Sequence, residues 1–145
     1  MERIFLLLIN NSFIMTQNYN PSDFPFREEC LALIEIASNI HKTLGSGLNE
    51  CIYKTEFETE LKAKDIEYQT EKRYSVNING MVLEHKFYSD FVVNDNIIVE
   101  IKSVPFNIGN SELILFNQLI MSKPKVGLVI NFYNELIQFK KFVLY

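Results

Sequence analysis

Two apolar runs, Phe87 to Val93 and Ile97 to Ser103, flank the turn-forming triplet Asn94-Asp95-Asn96. No other stretch constrains the fold as much. Both runs are rich in β-branched and aromatic residues, so they read as two strands of a hairpin. A three-residue loop sets Val93 opposite Ile97, and stepping outward from that pair sets Asp90 directly opposite Glu100. Side chains alternate along a strand, so Lys102 shares their face. Carboxylates paired in this way lie about 5 Å apart at Cβ and repel each other. The odd positions Phe87, Phe91, Val93, Ile97, Val99 and Ile101 form a clean apolar face. The even face mixes Val92 and Ile98 with the three charges, which places those charges in a cleft. Two carboxylates with an ammonium two residues on suit a hard divalent cation and a general base. The competing reading is a solvated hairpin edge carrying a Glu100–Lys102 pair.

The rest of the chain supplies partners for this hairpin. Ile66 to Ile78 alternates as a strand, with Tyr68, Thr70, Tyr74, Val76 and Ile78 on one side. Asn79-Gly80 is a two-residue hairpin turn, and Met81 to Val93 is the return strand. Three antiparallel strands in a meander result. Before them, Phe26 to Thr43 forms an amphipathic helix with Leu31, Ile34, Ala37, Ile40 and Leu44 on its stripe, widened by Leu33 and Ile36. Gly45-Ser46-Gly47 ends it. A second helix spans about Leu48 to Lys64. One of its faces carries Leu48, Cys51, Ile52 and Thr55, and another carries Glu50, Tyr53, Phe57, Glu60 and Leu61. After the hairpin, Pro105 to Asn110 is a loop, and Asn110 or Ser111 caps a helix running to about Met121. Val126 to Phe132 is nearly all apolar, as in a strand covered on both faces, and Leu136 to Leu144 is a last strand. The order is helix, helix, three strands, helix, strand, strand: an α/β chain, with helices packed on a mixed sheet.

A length of 145 residues suits a single domain over 26–145, preceded by an irregular arm over 1–25. Ile4 to Ile9 is too short to span a membrane and makes a poor signal peptide. Met15 looks like a start, so residues 1–14 are expected to be a translated extension or a loose arm, and the cytoplasm is the default location. A net charge of -4 argues against a protein coated in basic residues. From Ile101 onward, however, Lys102, Lys123, Lys125, Lys140 and Lys141 face only Glu112 and Glu135. Lys123, Lys125, Lys140 and Lys141 are therefore candidates for contacts with a phosphate backbone. Cys30 and Cys51 read as buried free thiols in a reducing compartment. With His41 and His85, which read as structural, they have no zinc-site spacing.

Gly47-Leu48-Asn49-Glu50-Cys51-Ile52-Tyr53 carries a Gly-x-x-Glu-x-x-Tyr signature. Glu60-Leu61, then Asp90 with Glu100-Ile101-Lys102, then Gly127-Leu128-Val129-Ile130-Asn131-Phe132 follow in order. From about His41 to its end the chain resembles the bacterial GxxExxY proteins, a family similar to the PD-(D/E)XK nuclease superfamily. That resemblance implies a restriction-endonuclease-like core of helix, three antiparallel strands, helix and strand, here with an extra N-terminal helix and a C-terminal strand. It further implies metal-dependent hydrolysis of phosphodiester bonds in DNA or RNA. Asp90 and Glu100 would ligate Mg²⁺ or Mn²⁺, with the Ile101 carbonyl as an extra ligand. Glu50 would complete the shell directly or through water. Lys102 would orient or deprotonate the attacking water and steady the developing charge.

The superfamily commonly places a Gln on the helix after the Glu-x-Lys strand. Ungapped alignment puts Ile114 at that position, with Gln118 one turn later, and Ser111 replaces a His that relatives often carry. Gln118 and Tyr53 are the candidate substrate-positioning residues, with Tyr53 read as a packing residue whose hydroxyl touches the site. These departures and the acidic charge keep an alternative open, a catalytically inactive nuclease-fold protein that binds nucleic acid or a protein partner. A third reading is a self-associating domain, such as a homodimer, whose apolar N-terminal arm docks on a neighbour. No membrane partner is expected.

Overall fold

A computed structural model describes residues 4–7, 25–105, 119, 123–124 and 126–144, with backbone alone at 4–7, 74–78, 82–87 and 144. The elements in chain order are β1 (Ile4–Leu7), α1 (Arg27–Leu44), α2 (Glu50–Ala63), β2 (Tyr68–Ile78), β3 (Met81–Val93), β4 (Ile97–Lys102), β5 (Val126–Asn131) and β6 (Gln138–Leu144). The strands form one sheet in the order β1-β6-β5-β4-β3-β2. β4 and β5 run parallel, and the other neighbours are antiparallel. A parallel pair needs a crossover, and the segment between Lys102 and Val126 provides it. The helix expected from Ser111 to Met121, with Ile114 and Gln118, lies outside the described residues apart from Leu119, which is helical and fully buried.

The buried stripe of α1 is Cys30, Leu33, Ile36, Ala37 and Ile40. This is rotated from the expected one: Leu31 is 42% exposed, and Cys30 takes its place against the sheet. Both sets have helical spacing and converge on Ala37 and Ile40, so periodicity alone does not separate them. Gly45, at φ 81°, stops the helix and donates its N–H to the His41 carbonyl, 2.9 Å away. In α2 the buried face is Tyr53, Phe57 and Leu61, one residue per turn, and Cys51 is exposed rather than buried. Both helices pack on the sheet face formed by Phe91, Val93, Ile97, Val99, Ile101, Val126, Leu128 and Ile130. That face carries the odd positions of β3 and β4, as alternation requires.

The loop from Gly45 to Asn49 is fastened from three sides. Tyr53 donates its hydroxyl to the Gly45 carbonyl at 2.7 Å and accepts the Leu48 N–H at 3.1 Å. Its ring stacks on Phe132 with centroids 4.4 Å apart. Gly47, at φ +73°, donates its N–H to the Phe132 carbonyl, and the Ser103 hydroxyl donates to the Leu48 carbonyl. The start of α2 is thereby tied to the ends of β4 and β5. Tyr53→Phe removes one donor and one acceptor from the part-buried hydrogen bonds to Gly45 and Leu48. It should lower unfolding stability by about 1–3 kcal/mol in urea titration, with the ring packing kept.

Two sequence expectations change here. The stretch 1–25, expected to be irregular, contains β1, which pairs with β6 from Ile4↔Leu144 to Leu7↔Lys141. Its run Ile-Phe-Leu-Leu has strand character, and β6 offers an edge, but the partner lies at the far end of the chain. Lys140 and Lys141 do not form one basic surface, because alternation sends them to opposite faces. Lys141 is 3% exposed, and burial pushes its pKa down. Lys123 is exposed, and Lys125 lies outside the described residues.

Candidate functional site

The β3–β4 ladder pairs Val93 with Ile97, Val92 with Ile98 and Phe91 with Val99, the register that the three-residue turn predicts. Asn94 and Asp95 adopt positive φ in that turn, which Asn and Asp tolerate better than most residues. The next pair outward is Asp90 with Glu100, and there the ladder stops. Side chains take over from backbone. The Ile101 N–H donates to Asp90 Oδ2 at 2.8 Å, and the Asp90 N–H donates to Glu100 Oε1 at 3.3 Å. On the other side of Asp90 the β2–β3 ladder skips Glu71, which sits at φ 51° between the pairs Thr70↔Phe91 and Lys72↔Ser89. Asp90 thus lies at a local break in the sheet, the kind of irregularity that re-aims a side chain.

Glu100 is 5% exposed. Its carboxyl is pushed up to about 8, first by burial and then by the charge of Asp90. Lys102 pulls in the opposite direction, and a hydrogen bond between the two acidic side chains raises it further. The two carboxyl groups therefore converge, as the hairpin register requires. Lys102 itself is half-buried, and its carbonyl accepts the Phe132 N–H at 2.9 Å.

The structure adds a residue that sequence reading passed over. Lys54 Nζ lies 2.9 Å from Asp90 Oδ1 and 2.9 Å from Glu50 Oε1. Burial disfavours its charge, but the hydrogen bonds to Asp90 and Glu50 outweigh burial and raise its pKa. Glu50 is thus linked to Asp90 through a lysine. The Glu50-x-x-x-Lys54 spacing could have flagged the pair, since i and i+4 are neighbours on a helix. Asn131 is a second omission. It is fully buried at the end of β5, and its Oδ1 accepts the N–H groups of Val104 and Tyr133, each at 3.2 Å. Its Nδ2 donates to the Val104 carbonyl at 3.0 Å. With the Phe132 bond to Lys102, this clamps the chain just past the lysine.

Asp90, Glu100 and Lys102 come together, and Glu50 joins through Lys54. Tyr53 does not reach this cluster. Its side chain is fully buried and its hydroxyl is held by Gly45 and Leu48, so its expected role in positioning substrate gives way to one in fixing the loop before α2. Gln118 lies outside the described residues. His41 is structural as expected, bonded to the Asn134 carbonyl, while the His85 side chain lies outside the described residues. No three His, Cys, Asp or Glu side chains gather as a metal-holding group among the described residues.

This arrangement of split ladder, paired acids and Glu-x-Lys defines a class of protein, and comparison with known families agrees. The profile of the PD-(D/E)XK nuclease superfamily matches residues 27–142, and the chain belongs to that superfamily. The curated proteins contain no match. Among solved structures, the crystal structure of SSO0001 superposes with a TM-score of 0.52 at 19% identity, over 81% of this chain and 60% of that one. The present chain thus spans less than two thirds of that protein, and at this identity the likeness is one of fold.

PD-(D/E)XK nucleases generally use divalent metals. The donor set of this site fits such an ion. Two touching carboxyls, one of them buried and hard to ionise, would both be charged beside a dication. Mg²⁺ commonly takes one or two carboxylates and fills its remaining positions with water or substrate phosphate. No helix among the described residues is long and apolar enough to cross a membrane.

Proposed function

We propose that the chain is a divalent-metal-dependent nuclease that hydrolyses phosphodiester bonds of DNA or RNA, with its site inside one domain spanning 26–145. The observation that carries this reading is the buried Glu100 carboxyl, set against Asp90 where the β3–β4 ladder opens, with Lys102 two residues on. A fold gains nothing from that repulsion, whereas a cation site uses it. Asp90, Glu100 and the Ile101 carbonyl would hold Mg²⁺ or Mn²⁺. When bound, the ion polarises a phosphoryl oxygen and lowers the pKa of a water. Lys102, two residues beyond Glu100, orients the attacking water and offsets negative charge on the phosphate. The Asn131 clamp keeps the end of that strand in place. The free thiols Cys30 and Cys51 suit a reducing compartment, the cytoplasm.

Single-turnover cleavage of single-stranded, duplex and structured DNA and RNA with Mg²⁺ or Mn²⁺ tests the reading. Lys102→Ala should cut on the order of 10²–10³-fold more slowly while binding the metal about as well as the native protein. No cutting by the native chain, or equal cutting by Lys102→Ala, counts against it. One observation favours the second reading, a nuclease-fold protein that binds without cutting: the Lys54 ammonium itself neutralises Asp90. Calorimetry separates the two, since a purely binding protein of this kind takes up no divalent ion.

A further inference from the structure

We propose that Lys54 is the resident counter-ion of the acidic pair, and that Glu50 acts on the site by holding Lys54 rather than by ligating metal. This rests on the metal-dependent reading above. Both oxygens of Asp90 are engaged in the structure: Oδ2 by the Ile101 N–H and Oδ1 by the Lys54 ammonium. The Ile101 bond is part of how β3 and β4 are joined, so Oδ1 is the oxygen a cation would take. Lys54 covers it. The Lys54 side chain is 32% exposed, which leaves its ammonium room to withdraw.

Glu50 gives it somewhere to go. It lies one turn earlier on α2 and binds the same ammonium at 2.9 Å. A lysine shared between two carboxylates moves by tilting its flexible stem toward one of them, with no backbone change. Lys54 neutralises Asp90 and fixes its orientation. Were a dication held at Oδ1, Lys54 would give up that oxygen and keep its bond to Glu50. Glu50 is then a positioning residue, acting through Lys54.

Calorimetric titration of the full metal-free chain with MgCl₂ and MnCl₂ tests this, together with thermal melting before metal is added. Lys54→Met should bind either ion about tenfold more tightly or better, since a positive charge beside the site has gone. The same variant should melt lower than the native chain without metal and gain more on metal addition. Lys54→Arg, which keeps the charge, should bind close to the native affinity. Glu50→Gln should weaken binding in the native background and cost much less in the Lys54→Met background. Unchanged or weaker binding by Lys54→Met overturns the proposal while leaving the metal site standing. An equal cost of Glu50→Gln in both backgrounds overturns it too, because it makes Glu50 a ligand. Absence of divalent binding by both native and Lys54→Met protein removes this inference and the metal reading together.

Discussion

Glu100→Gln is expected to abolish metal-dependent cleavage and, without metal, to make the protein more stable at neutral and alkaline pH. The loss of rate should be on the order of 10³-fold, because a ligand and its charge disappear together. The gain in stability follows from linkage. Glu100 ionises at about 4.5 when exposed and at about 8 in the fold, so the folded protein holds its proton more tightly. The stability contributed by that proton is complete below 4.5, falls as pH rises toward 8, and is gone above it. The ionised form at high pH costs the native chain up to roughly 5 kcal/mol, which glutamine avoids. Glutamine also keeps an acceptor for the Asp90 N–H and offers Asp90 a permanent donor. Melting curves at pH 5 and pH 8.5 should nearly coincide for the variant and separate for the native chain, the native protein being weaker at pH 8.5. Saturating Mg²⁺ should shrink that separation. A native chain whose melting temperature does not fall between these pH values would show that Glu100 ionises without strain.

Asn131→Leu is expected to produce the largest loss of stability, about 3–5 kcal/mol in urea titration. Leucine matches the volume but strands the N–H groups of Val104 and Tyr133 and the Val104 carbonyl, all served by the one amide. The chain just past Lys102 loses its anchor, so cleavage should also slow by about a hundredfold even where the protein remains folded. Single-turnover rates measured well below the melting transition separate the two effects. A variant that melts with the native protein would mean that water or the neighbouring Gln138 takes over the orphaned groups.

The register of the central hairpin was legible in the sequence because it depends on local features alone. A three-residue turn and alternating polarity fix which residues oppose one another, and the observed pairs from Val93↔Ile97 to Phe91↔Val99 follow. The same holds for the helix ends at Gly45 and for the Asn79-Gly80 turn. What stayed hidden depends on distant partners. Lys54 looks like any lysine four residues after a glutamate, and only the placement of α2 beside β3 gives it Asp90. Asn131 ends an apolar run and reads as a turn residue, because Val104 lies 27 residues away in the chain. Tyr53 is legible as a packing residue of α2, but the partners of its hydroxyl depend on how Gly45–Asn49 folds back. β1 was missed for the most remote reason, a pairing that joins the two ends of the chain.

The two outer strands of the sheet share a property that bears on how the protein behaves in crowded solution. β1 is only four residues long, and β2 is interrupted twice, by the left-handed Glu71 and by the register shift between Ser75 and Val76. Among the described residues, neither margin therefore presents a long, regular row of unpaired amides on which another chain could extend the sheet. Fibril-like growth is discouraged on both flanks, and on the β2 flank the irregularity nearest Asp90 is the one that opens the ladder around it.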